Sequence, residues 1–192
     1  MSVGRSLLLV CFCLTTLGGH VSAQRGRGNM TIERPATPTR FDSQELGIAF
    51  DAPEGVQIYT PAAPGRYKSV LGEGRFVYLA NSGMRSVSVI AKSSANATEA
   101  ELKNYKEILD SNPPQSKLEG FKMIHVRYIT IGKRADKQAL EFVYDTQSVT
   151  IRQVVFIHNG KGITFTCTSL QAEYGAAEVE MFKPLFSRLE FR

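Results

Sequence analysis

An acid, a base, a nucleophile or a metal site would have to be built from cysteines, histidines and paired carboxylates, and this chain of 192 residues holds only three cysteines and three histidines. Cys11 and Cys13 sit in an apolar N-terminal run, which leaves Cys167 as the thiol of the remaining sequence. It lies in "VTIRQVVFIHNGKGITFTCTS", two β-rich runs separated by His158-Asn159-Gly160-Lys161. Asn-Gly is the preferred pair for a two-residue type I′ turn, because both residues need positive φ. With His158 facing Lys161, the register sets Phe156 against Ile163, Val154 against Phe165 and Arg152 against Cys167, a bulky row on one face. Thr164, Thr166 and Thr168 stand opposite Val155, Gln153 and Ile151 on the other. His158 then lies about six residues along the ladder from Cys167, roughly 20 Å at ~3.3 Å per residue, so these two form no nucleophilic dyad. Arg152 opposite Cys167 would lower the thiol pKa and yield a reactive thiolate if the site were partly open to solvent. The alternative is a small buried hydrophobe.

The other candidates are weaker. His125 has no histidine or cysteine at metal-ligand spacing and reads as a histidine partly buried on a sheet. Glu141 and Asp145 point to one face of a strand but lie ~13 Å apart by strand rise, beyond the ~5 to 9.5 Å between paired glycosidase carboxylates; they read as surface charges. No GxxxxGK[ST], His-Glu-x-x-His or Gly-x-Ser-x-Gly occurs, and "GEGRF" at 72–76 precedes a strand instead of opening a phosphate-binding helix turn. No catalytic residue, cofactor or metal is expected.

The elements that must carry these residues are mostly strands. "LGIAFDAPEGVQIY" predicts strands at Gly47 to Asp51 and Val56 to Tyr59 around a Pro-Glu-Gly turn, and "PAAPGRYKSVLGEG" a loop. Strands follow at Arg75 to Ala80 and Arg85 to Lys92, joined by Asn81-Ser82-Gly83-Met84. Thr98 and Glu101 have capping-box spacing and open a helix with Leu102, Tyr105, Ile108 and Leu109 on one face; Pro113 and Pro114 stop it. "FKMIHVRYITIG" alternates Ile124, Val126 and Tyr128 against Met123, His125 and Arg127, and "KQALEFVYD" alternates Leu140, Phe142 and Tyr144 against Ala139, Glu141 and Val143. Residues 173 to 189 form an amphipathic helix that turns Tyr174, Ala177, Met181, Phe182, Leu185 and Leu189 to the sheet, with Pro184 expected to kink or shorten it. Seven or eight strands joined by tight turns, with two helices, imply an α+β fold with a largely antiparallel sheet.

Ahead of the fold stand two segments of different character. Arg5, the apolar Leu7 to Leu17 and the small-residue site Val21-Ser22-Ala23 have the layout of a cleaved signal peptide over residues 1–23. No later segment approaches ~18 apolar residues in a row, so no transmembrane segment is expected in the mature chain. Removal of residues 1–23 leaves one cysteine and no intrachain disulfide, so the core alone must hold the exported domain. Residues 24–40, "QRGRGNMTIERPATPTR", cannot bury enough surface to order themselves and read as a flexible basic leader. They hold a net charge of +3 (Arg25, Arg27, Arg34 and Arg40 against Glu33), whereas residues 41–192 hold +1 from 18 basic and 17 acidic side chains. The excess lies in the leader, so a basic nucleic-acid face on the folded part is not expected. Asn29-Met30-Thr31 and Asn96-Ala97-Thr98 fit the N-glycosylation triplet.

The order of elements, with "GIAFDAPEGVQIY", a strand pair, the capped helix after "AKSSANATEAEL", a four-strand meander and a terminal helix ending "FKPLFSRLEFR", resembles the PsbP-like superfamily, which includes DcrB-like exported proteins. The similarity covers about residues 41–192, read as one domain. It implies an α/β/α sandwich, an antiparallel sheet with helices on both sides, used as a non-enzymatic binding or assembly module. The expected function is that of an exported periplasmic or extracellular accessory that docks a protein partner through a sheet edge or an exposed loop. Two alternatives stand beside it. One is a carrier of a small apolar ligand lined by Tyr128, Phe142 and Tyr144; the other is a thiol-dependent enzyme or redox protein using Cys167 with Arg152 and His125.

Overall fold

The computed structural model describes residues 40–44, 46–53, 56–59, 78–81, 88–95 and 97–192, all within the unit that runs from Arg34 to Arg192. The expected signal peptide, the leader as far as residue 39, the loop at 61–74, the turn after Asn81, Asn29 and Asn96 lie outside these residues.

Long-range pairing is dominated by a five-stranded antiparallel sheet of order β5-β9-β8-β7-β6, built from Ser88–Ala95 (β5), Lys122–Ile131 (β6), Lys137–Asp145 (β7), Val149–His158 (β8) and Lys161–Leu170 (β9). The β8–β9 hairpin has the register read from its sequence, with His158 opposite Lys161, Val154 opposite Phe165 and Arg152 opposite Cys167. Asn159 (φ 50°) and Gly160 (φ 69°) occupy the positive-φ positions that the I′ turn demands. A three-stranded sheet places Ile48–Asp51 (β2) between Arg40–Ser43 (β1) and Glu190–Phe191 (β10), and Val56–Tyr59 (β3) pairs with Tyr78–Asn81 (β4). The sequence reading did not predict β1 and β10. At two residues β10 is too short for alternation to register, and β1, Arg-Phe-Asp-Ser, holds a single apolar side chain.

Helix α1, Glu99–Ser111, covers one face of the large sheet. Its capping box forms as the spacing predicts: Glu101 N–H donates to Thr98 Oγ1 at 3.3 Å, and Thr98 N–H donates to Glu101 Oε2 at 2.7 Å. Leu102 and Leu109 are buried with Leu140, Phe142, Tyr144, Ile151 and Val155, and Tyr105 packs edge-on against Phe142. Ile108, expected on that face, is exposed instead. On the opposite face Tyr174–Ala177 (α2), the π-helical stretch Glu178–Phe182 and Lys183–Ser187 (α3) run on as one helical segment. Ala177, Met181, Phe182, Leu185, Phe186 and Leu189 are buried there with Val154, Phe156, Ile163 and Phe165. The two layers around the sheet make an α+β fold of the α/β/α sandwich type.

Pro184 neither ends nor shortens this segment. Lys183 N–H donates to Glu178 O, five residues back, so the widened turn falls just ahead of the proline. A proline within regular α geometry lacks the donor for residue i−4, and its ring collides with that carbonyl; the helix departs from regular α geometry just where Pro184 would meet it.

Strand β7 is buried on both faces, since α1 covers Leu140, Phe142 and Tyr144 while Ala139, Glu141 and Val143 face the other layer. Strand β6 departs from simple alternation. A bulge between Met123 and His125 takes Ile124 out of the row, so Met123 and Val126 pack toward α1 and Ile129 and Ile131 toward the other layer. Among the described residues no helix is long and apolar enough to cross a membrane.

Candidate functional site

Three strands bring ionisable side chains together on the face of the sheet that the C-terminal segment covers. Glu141 of β7 pairs in register with Arg127 of β6, while His125 and Arg152 lie one row further, on β6 and β8. Glu141, expected at the surface, is 1 % exposed. Its Oε1 accepts from Arg152 Nη2 at 2.5 Å, and its Oε2 accepts from Arg127 Nε at 2.6 Å and lies 3.1 Å from His125 Nε2. Burial pushes the Glu141 carboxyl upward, but the Arg152 charge and the Arg127 hydrogen bond outweigh it and hold the group below its ordinary value. A strand-by-strand reading places Glu141 on one face but says nothing of what covers that face. The signal that was available is the register itself, which sets two arginines around one glutamate.

Arg152 is 4 % exposed and lies 5.1 Å from the centre of the Phe186 ring, a cation-π contact. Its charge is therefore committed to Glu141 and Phe186. Cys167 is fully buried, and burial pushes its thiol up to about 12 even though the Arg152 charge acts in the opposite direction. The Arg152–Cys167 pairing thus stands as the sequence implies, inside a closed layer.

The remaining candidates go to separate places. Asp145 accepts from Thr150 Oγ1 at 2.6 Å. His158 closes the other end of the hairpin: its Nε2 lies 3.0 Å from both Gly47 O and Arg192 O, and Asn159 Nδ2 donates to Arg192 O at 3.1 Å. Of the three residues expected to line an apolar ligand cavity, Phe142 and Tyr144 are buried and packed, with ring centres 6.2 Å apart and Phe121 5.6 Å from Tyr144. Tyr128 lies outside that packing and is 38 % exposed. Among the described residues no group of three or more His, Cys, Asp or Glu side chains is arranged to hold a metal.

The accessible chemistry lies along β6. Among the described residues this strand pairs only with β7, so it forms one edge of the five-stranded sheet, and alternate backbone N–H and C=O groups of such an edge point away from the ladder. Ile124, at the bulge, is 48 % exposed, and Tyr128 stands four residues further along the strand. On the other face of β6 the Arg127 side chain is 56 % exposed. The alternation had suggested Ile124 and Tyr128 as core residues; the bulge and the lack of a neighbouring strand turn them into surface.

Both ends of β6 are held by close backbone approaches. Ahead of it Gly120 (φ +69°) would bring a Cβ within 2.7 Å of Gln147 N, and Gln147 N–H donates to Glu119 O at 3.1 Å. Behind it Gly132 (φ +92°) would bring a Cβ within 2.7 Å of the Phe191 ring, while Gly132 N–H donates to Phe186 O and Lys133 N–H to Leu189 O, each at 2.9 Å. Only glycine fits both the conformation and the space at these two positions.

No family model matches the chain, and no curated protein matches it. Solved structures do. The solution structure of cyanobacterial PsbP from Synechocystis is similar at a TM-score of 0.55 and 14 % identity, covering 86 % of this chain and 98 % of its own. A structure from Bacteroides thetaiotaomicron is similar at a TM-score of 0.51 and 12 % identity, over 81 % of this chain and 49 % of its own. At these identities the likeness is one of fold.

Proposed function

We propose that this chain, which has the PsbP-like fold, is an exported, non-enzymatic accessory protein that docks a protein partner through the β6 edge of its large sheet. The carrying observation is that edge: a ten-residue strand with one neighbour among the described residues, presenting Ile124 and Tyr128 beside its outward backbone groups. Strand addition to a sheet edge draws affinity from backbone hydrogen bonds and selectivity from alternate side chains, and β6 offers both. The ionisable groups support the same reading from the other side. Glu141 is taken up by ion pairs with Arg152, Arg127 and His125, and the Cys167 thiol is held protonated in the core. Export rests on the N-terminal layout of residues 1–23.

Site-specific photocrosslinking tests the docking surface. A crosslinking side chain at position 124 or 128 is expected to capture one common partner. The same group at Val179, exposed on the C-terminal helical segment, is expected to miss it. Tyr128→Lys is expected to abolish capture from position 124 while leaving the thermal midpoint unchanged; retained capture overturns the assignment to β6. N-terminal sequencing of protein recovered outside the cytoplasm is expected to begin at Gln24.

A further inference from the structure

We infer that the segment received by β6 is an extended strand in which acidic residues alternate with apolar ones. This inference rests on the docking reading above and adds the chemistry of the partner. It follows from how charge is distributed along the edge. Glu141 supplies one negative charge to two guanidinium groups: buried Arg152 takes one carboxylate oxygen, and Arg127 shares the other with His125. Among the ion pairs of the described residues two guanidinium groups share this one carboxylate, and Arg127 is the exposed member. At the exit of β6 the charges balance instead, because Lys133 and Arg40 share Glu190 while Arg40 also pairs with Asp51. Arg134 beside Lys133 is exposed as well. The positive charge that an incoming strand would meet on β6 is therefore that of Arg127, even though residues 41–192 as a whole are close to neutral.

The two faces of β6 differ, and an added strand must match both. Successive side chains of the incoming segment would stand beside the His125 and Arg127 row and the Val126 and Tyr128 row in turn. A carboxylate beside Arg127 meets its exposed charge, and an apolar side chain beside Tyr128 covers its exposed ring. A second copy of this chain would set Arg127 near its own counterpart across a two-fold axis, placing like charges together. Charge complementarity thus selects an acidic partner strand over self-association.

The test uses the purified full chain and three ten-residue synthetic peptides in which valine alternates with glutamate, glutamine or lysine, matched to the length of β6. By fluorescence anisotropy at low ionic strength, the glutamate peptide is expected to bind roughly tenfold or more tightly than the glutamine peptide, with the advantage shrinking in high salt. The lysine peptide is expected not to bind, and Arg127→Gln is expected to bring the glutamate peptide down to the glutamine level. If Arg127→Gln fails to fold, the peptide charge series on the unaltered protein decides. Equal binding of the glutamate and glutamine peptides overturns the acidic assignment while leaving edge docking intact. Binding by none of the three, with partner capture from position 128 still present, overturns strand addition. Capture of a second copy of the chain from position 128 also overturns the inference. Loss of all capture from 124 and 128 instead removes the docking reading on which it stands.

Discussion

Removing the negative charge of Glu141 leaves Arg152 charged and buried, with the Phe186 ring as its remaining charge-stabilising contact among the described residues. Stranding one member of a buried ion pair is strongly destabilising, whereas replacing both with apolar groups is often close to neutral. Glu141→Gln is therefore expected to lower stability in urea unfolding by about 3–5 kcal/mol. The double variant Glu141→Leu/Arg152→Met is expected to lose less than the single one, and additive losses would show that the two side chains act independently. Cys167, beside this pair, gives a second measurement at the same scale. A thiol pushed up to about 12 by burial should alkylate at neutral pH only as fast as the protein opens, with the rate following unfolding as urea is added. A rapid reaction in native buffer would restore the thiol-dependent reading.

At the level of elements, the two glycines flanking β6 are expected to differ from Gly160, although all three have positive φ. A Cβ at Gly160 meets nothing within 4 Å, while at Gly120 it meets the Gln147 backbone. Gly160→Ala should therefore lose only the conformational strain of about 1–2 kcal/mol. Gly120→Ala should lose more, because backbone must shift as well; equal losses in chemical denaturation would mean that the β7–β8 turn yields freely. Much of this level was legible in the sequence. The Asn159-Gly160 turn fixed the phase of β8 against β9, and the spacing of Thr98 and Glu101 placed the start of α1. What escaped depended on partners distant in sequence. The bulge at Ile124 leaves no mark in an alternation pattern, the π turn before Pro184 is one of several ways to accommodate a proline, and the burial of Glu141 requires three strands in register beneath a covering helical segment. The edge position of β6 was invisible for the same reason, since a strand becomes an edge only through the order of its neighbours.

For the whole molecule, acid should act through carboxylates that join distant parts of the chain. Glu190 on β10 is held at about 2 by its hydrogen bonds to Arg40 and Lys133, and Glu141 is also depressed. A depressed carboxylate stabilises the folded state fully above its unfolded value, ~4.3, and that contribution is lost as pH falls through the folded value. The thermal midpoint is expected to stay level from pH 7 to about 5 and to fall between about 4.5 and 2. The Arg40→Ala variant should begin its fall at a higher midpoint pH for Glu190, read by NMR titration of that carboxyl. The two fixed ends of β6 bear on energetics of another kind. With Gly120 closed on Gln147 and Gly132 closed on Phe191, β6 would surrender little freedom on receiving the proposed partner strand, and the entropy penalty would fall on the guest. A macrocycle that locks the guest into a strand should therefore gain affinity, while further rigidification of the host should gain almost none.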